Sequence, residues 1–307
     1  MSRPAAGSLN ALAMAIGLVV LLPGIGAEAD SQPTATEVLA ASAPADWRAL
    51  DPEHTLYLEL ESGRVVIELA PEFAPRHVAN IKALARAAYF DDGAIVRVHD
   101  NYVTQWGQPD EQRDMGPAKA SLQPEFDRPL DKDRPFTRLP DGDVYAPEAG
   151  FSEGWAVARD PASGREWLAH CYGMLGVGRG NETDSGSGNS LYAVIGHGPR
   201  HLDLNITLAG RVVQGMELLS ALPRGTGTLG FYERPEQFVR IRSLRVAADL
   251  PPEQRTELEV LRTGTRSFAD YVEALRNRGG EWFVKPAGSI DLCNARIPVR
   301  ARAAADN

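Results

Sequence analysis

The stretch AIVRVHDNYVTQWGQ, residues 94–108, reads as two short strands around a turn at Asp100-Asn101. Alternation with period two puts Ile95, Arg97 and His99 on one face and Val96 and Val98 on the other. On the returning strand Val103, Gln105 and Gly107 share a face. If the strands pair, Arg97 and Gln105 lie side by side next to Val103, with Tyr102 near the turn. A cation, an amide, an aromatic ring and an apolar wall suit a peptide pocket. The same alternation also suits a surface arginine on an edge strand, and the pattern alone leaves both readings open.

Working outward, TLYLELESGRVVIEL (55–69) carries two alternating runs about Ser62-Gly63, a hairpin signal. Val78, Ile81, Ala85 and Ala88 then recur at helical spacing behind Pro75, which fits a first turn. Residues 109–152 are dense in Pro, Asp, Arg and Gly without periodicity, and predict an insertion or extended surface loop. A hairpin turning at Asp160–Gly164 closes this insertion, placed at about 109–168. Two apolar strands follow around a Gly/Ser-rich loop (173–196), then a strand and short helix (206–222), then a closing strand (236–247). Many short strands with few helices predict a mainly β closed barrel or sandwich. After Leu250 the composition predicts two short helices, the second with a Ser267–Asp270 capping box, and a final strand running into a frayed tail.

The chain has 307 residues, 43% of them apolar, and a net charge of -9, which argues against nucleic acid or an anionic membrane surface as partner. Two cysteines, Cys171 and Cys293, are too few for a disulfide scaffold, and spacing alone does not decide whether they pair. A basic Arg3, a short apolar run and Ala27-Glu28-Ala29 describe a secretory signal peptide over 1–29, with a flexible Ala/Ser/Thr/Pro-rich leader over 30–50. The mature chain is then expected in the periplasm or secreted, without stable membrane insertion. GVGRG (176–180) lacks the spacing of a phosphate loop. His197 and His201 are separated by Gly198-Pro199, which breaks the helix that metal ligation at this spacing requires. No serine or cysteine stands in a nucleophile context, and no cofactor or metal is expected.

Residues 62–107 resemble the N-terminal half of a cyclophilin-type peptidyl-prolyl isomerase. Ala74-Pro75, Val78, Asn80, Tyr89, Arg97, Val98, Tyr102, Gln105 and Gly107 stand at the family's places. LDLNITLAGRVVQGMELL (202–219) resembles a later family segment through Leu202, Asp203, Gly210, Val212, Gly215 and Met216. The resemblance implies an eight-stranded antiparallel barrel capped by two helices over about 51–248, an exported variant with an insertion and a short helical C-terminal extension (249–307). It implies Arg97 as the catalytic residue, with substrate bound by Tyr102, Val103, Gln105, Leu202 and neighbouring positions. The chain departs from the family at several places: the family's phenylalanine near the turn is Tyr102, its methionine is Val103, and its histidine just before the arginine is Val96. The family's groove-wall Ala-Asn pair falls at Gly178-Arg179, and its pocket-floor phenylalanine at Ala193 with Tyr192 beside it. Its tryptophan falls near His201 and its later histidine near Ile206. The expected activity is rotation of X-Pro bonds in unfolded or partly folded exported polypeptides. The second reading is a peptide-binding or chaperone module of the same fold with little catalysis.

Overall fold

The computed structural model describes residues 32–109, 113–279 and 282–302, so the expected signal peptide lies outside the described residues. Along the chain come helix α1 (Ala35–Ala41), strands β1 (Trp47–Ala49), β2 (Thr55–Leu60) and β3 (Gly63–Leu69), and helix α2 (Pro75–Arg86). Strands β4 (Ala94–Val98) and β5 (Val103–Gly107) form the hairpin of the opening stretch. The insertion contributes β6 (Arg128–Pro129), β7 (Thr137–Arg138), β8 (Glu148–Ser152), β9 (Trp155–Asp160) and β10 (Arg165–Leu168). Then follow β11 (Met174–Val177), β12 (Ser190–Val194), β13 (Leu208–Gln214), α3 (Met216–Ser220) and β14 (Val239–Val246). The C-terminal region adds β15 (Leu258–Leu261), α4 (Arg266–Arg276) and β16 (Val299–Ala301).

Eight strands close into an antiparallel barrel in the order β11-β12-β5-β4-β14-β2-β3-β13. Its interior is filled by alternating residues such as Leu56, Leu58, Val65 and Ile67, and by Trp106, while α2 covers one end with Val78, Ile81 and Leu84. Fully burying a side chain of this size contributes roughly 1.5–3 kcal/mol, so the interior adds to the strand pairing that closes the barrel.

Three sequence expectations need correction. Residues 35–41 of the leader form α1, capped by a reciprocal Thr34–Glu37 box, and Trp47–Ala49 pair with Leu261–Glu259 of β15. Within 109–152, three short strands join the 155–168 hairpin in a second sheet, β6-β10-β9-β8-β7. The C-terminal region is less helical than expected: Leu258–Leu261 is the central strand of a third sheet, β1-β15-β16, with a single 3-10 turn before it at Pro252–Gln254. The helix after it is capped by Thr265, whose hydroxyl accepts from the Phe268 N–H at 3.3 Å; Ser267 instead donates to Asp46 at 2.6 Å. A disulfide joins Cys171 to Cys293 and so ties the C-terminal region to the segment entering β11. Among the described residues no helix is long and apolar enough to cross a membrane.

Candidate active site

Simple alternation misplaces one residue of the opening hairpin. Ile95 pairs with Trp106 and Arg97 with Gln105, so Val96 is the extra residue of a β-bulge. Ile95 and Val98 both point into the barrel, fully buried, and Arg97 turns to the outer surface instead of sharing a face with Ile95. The bulge is what frees the guanidinium from the core.

Once outside, Arg97 heads a polar row across three strands. Its Nη1 donates to Gln105 Oε1 at 3.0 Å, and Gln105 Nε2 donates to Ser190 Oγ at 3.0 Å. Its Nε donates to the Leu229 carbonyl at 2.7 Å, and Nη2 reaches His99 Nδ1 at 3.2 Å. Three of the five guanidinium N–H donors are thereby used on neutral acceptors, and two remain for a ligand. Half-burial lowers the Arg97 pKa from its ordinary value, yet an arginine stays charged throughout the range in which proteins work. Tyr102 and Phe231 flank the guanidinium, their ring centroids 5.5 and 5.2 Å from its carbon. The 225–231 loop that brings Leu229 and Phe231 was not singled out in the sequence. Its legible signal is the glycine at 230, whose φ of +78° packs the turn against the His99 backbone.

Beside the row lies an apolar wall. Val103 and Tyr192 belong to a buried cluster against which Tyr102 and Ile206 pack. His201 stacks on Tyr102, nearly parallel, at 6.4 Å. Gly178 lies against Gln105 and Ser190, so close that a Cβ there would come within 3.0 Å of Gln105 Nε2. Arg97, Tyr102, Val103, Gln105, Gly178, Tyr192, His201 and Ile206 therefore gather on one outer face. Ala193 does not: it is fully buried inside the barrel, because Tyr192 pairs with Gln105 and takes the outward side of β12. Tyr192, not its neighbour, supplies the groove's buried ring. Leu202 lies half-buried in a 3-10 turn, Arg200–Leu202, where its backbone closes the turn to Pro199.

Behind the wall runs a chain of polar groups that sequence reasoning missed. The Tyr192 hydroxyl lies 3.1 Å from His170 Nε2, whose Nδ1 lies 2.9 Å from Asp203 Oδ1. Arg200 then bridges Asp203 and Asp143, each at 2.6 Å. Asp203 fixes the imidazole with its proton on Nδ1, so Nε2 accepts from the tyrosine. Burial lowers the His170 pKa, a larger effect than the opposing pull of Asp203, and burial raises that of Tyr192. Both rings are held neutral. Gly176 leaves the space for this tyrosine, since a Cβ there would meet its ring at 2.1 Å.

A barrel of this topology with an arginine–glutamine row on its outer wall matches a known family. The model of the cyclophilin-type peptidyl-prolyl cis-trans isomerases matches residues 55–246. The chain belongs to that family. Curated relatives named as probable peptidyl-prolyl cis-trans isomerases occur in Brucella suis, 27% identical over 195 residues, and in Brucella abortus, 26% identical; each match covers 62% of this chain and 83% of the relative. The crystal structure of cyclophilin AquaCyp293 from Hirschia baltica is similar with a TM-score of 0.66 and 25% identity, covering 89% of this chain and 99% of that one. At 89% of the chain, that likeness extends well beyond the 55–246 span of the family model.

Proposed function

We propose that this cyclophilin accelerates X-Pro rotation in unfolded or partly folded polypeptides outside the cytoplasm, with Arg97 as its catalytic residue. The observation that carries the reading is a guanidinium fixed by three neutral acceptors, with two donors left beside an apolar wall. Rotation about an X-Pro bond crosses a barrier of about 18–20 kcal/mol because it breaks amide resonance. In the twisted amide the proline nitrogen regains its lone pair. A donor aimed at that nitrogen binds the twisted form better than either planar form, which is the condition for catalysis. Val103, Tyr102 and the Tyr192 ring give the pyrrolidine an apolar seat, and Gln105 holds Arg97 at its edge. No proton or covalent bond changes hands.

The setting outside the cytoplasm is supported by the Cys171–Cys293 disulfide, since such bonds persist in oxidising compartments, and by the leader features of residues 1–29. Two measurements test the proposal. One is the isomerisation rate of a short X-Pro peptide with the wild-type enzyme and Arg97→Ala. The other is fractionation of producing cells with N-terminal sequencing and thiol labelling. A full-length, reduced chain recovered from cytoplasm would sink the location, and undiminished turnover by Arg97→Ala would sink the catalytic assignment.

A further inference from the structure

The polar row that begins at Arg97 ends at a second cation with no counter-ion among the described residues. From Arg97 the row runs through Gln105 and Ser190 to the loop that follows β11, where Gly178 touches both of them. The next residue is Arg179. Its Nε donates to the Asn205 carbonyl at 3.0 Å, and its Nη1 donates to the carbonyls of Gly180 and Asn181 at 2.8 and 3.3 Å. The side chain is thus held across the gap between the 178–181 loop and the 203–206 loop, at the Ile206 end of the wall. Among the described residues no carboxylate lies within ion-pair distance of it, although Glu182 and Asp184 belong to the same loop; nor does any such carboxylate pair with Arg97. Several ordered arginines elsewhere are neutralised, Arg200 by Asp143 and Asp203 and Arg128 by Glu153 and Glu166, whereas Arg255, far from the groove row, is held like Arg179 by backbone carbonyls. Arg179 is ordered by backbone carbonyls alone, keeps its full charge, and has Nη2 without a partner among the described residues. A guanidinium held this way is preorganised for an anion, because little side-chain entropy remains to be lost on binding.

We propose that Arg179 is a specificity-determining residue, which selects X-Pro substrates carrying an acidic side chain within two residues of the proline. The proposal rests on the isomerase reading of the same groove. The chain's net charge of -9 works against long-range attraction of acidic peptides, so the preference belongs to the docked complex and not to the encounter rate.

The test is a set of short X-Pro peptides with Glu, Gln or Lys at each position within two residues of the proline. It reads kcat/KM for the wild type, Arg179→Gln and Arg179→Lys. In the wild type, Glu should exceed Gln by roughly three- to five-fold at one position, as a partly exposed ion pair allows, with Lys slowest. The ratio should shrink at raised ionic strength. It should fall to about one in Arg179→Gln and survive in part in Arg179→Lys. Because each ratio is internal to one protein, a general loss of activity does not obscure it. Equal rates for Glu and Gln at every position in the wild type overturn the proposal, as does a preference that persists in Arg179→Gln. If no peptide turns over, the isomerase reading fails separately, and the Glu/Gln ratio of calorimetric affinities still decides the role of Arg179.

Discussion

Arg97 was legible in its kind but not in its orientation. The sequence shows an arginine among valines opposite a glutamine, and the pairing of the two holds in the structure. The bulge at Val96 was not legible, because period-two counting has no term for an extra residue; one residue of slip decides whether Arg97 faces core or groove. Arg97→Ala should lower kcat/KM about ten- to a thousand-fold, or roughly 1.4–4 kcal/mol of transition-state stabilisation, with little change in thermal midpoint. Arg97→Lys should recover little, since an ammonium cannot hold Gln105, the Leu229 carbonyl and a ligand in one plane. Isomerisation kinetics beside thermal melts check both, and a variant that unfolds would make Arg97 structural. Behind the groove, His170 makes a second residue-scale prediction. Its folded pKa is depressed from 6.5, so the unfolded chain binds the proton more readily. The stability it contributes is present above about pH 6.5 and is lost as the pH falls through the lowered folded value. Asp203 favours the protonated ring, Arg200 and His201 oppose it, and the Tyr192 hydroxyl needs Nε2 unprotonated. Melts should therefore show the wild type losing stability as acid rises below about pH 6.5. His170→Asn should be less stable at neutral pH, with that part of the slope removed; an unchanged slope would acquit His170.

At the scale of elements, helices and strands were readable where side-chain period and local turn chemistry agree. The β2–β3 hairpin and α2 are of this kind. The helix α1 had its signal too, Thr34 three residues before Glu37, masked by a composition that resembles a linker. What no local pattern carries is help from a distance. The N-terminus of α2 begins at Ala74, which has no side-chain cap, and Glu125 from the insertion supplies one. Its carboxylate accepts from the Arg76 and His77 backbone N–H groups at 3.1 and 3.0 Å, and from the His77 ring at 2.6 Å. Burial works against its charge, yet the His77 and Arg76 donors outweigh burial and hold its pKa down to about 2. A carboxylate on the first turn also meets the positive end of the helix dipole. Glu125→Gln should cost about 1 kcal/mol and Glu125→Ala about 2. A depressed carboxylate stabilises above its unfolded pKa of about 4.5, and the benefit fades as the pH falls towards 2. Melts of wild type and variant should therefore converge in acid. A gap that stays constant would mean packing, not charge, is at stake.

Over the whole molecule, the barrel was recoverable because its strands are long enough to show alternation and six of them fall into the hairpin pairs β2–β3, β4–β5 and β11–β12. Of the two outer sheets only the 155–168 hairpin was legible, since other strands run as short as two or three residues and several partners are far away. Trp47–Ala49 meet Glu259–Leu261, and no window of sequence contains both. These sheets still bear on the groove, because Trp47, Phe268 and Leu292 share one buried cluster with Val103 and Tyr192. Cys171 follows His170 directly, so the disulfide pins the segment that holds the Tyr192 hydroxyl. The bond spans 122 residues, and closing a loop of about 100 residues is worth roughly 4.7 kcal/mol in the chain-entropy account. Replacing both cysteines by serine should lower the thermal midpoint by roughly 9–19 °C at 2–4 °C per kcal/mol. Turnover well below the midpoint should persist, since Arg97, Gln105 and Ser190 sit on barrel strands. Melting and peptide isomerisation on the double variant, repeated on wild type under reductant, decide the matter. Loss of turnover with the barrel still folded would show that the outer sheets hold the groove open through His170 and Tyr192. An unchanged midpoint would show that packing of the shared cluster alone keeps the C-terminal region in place.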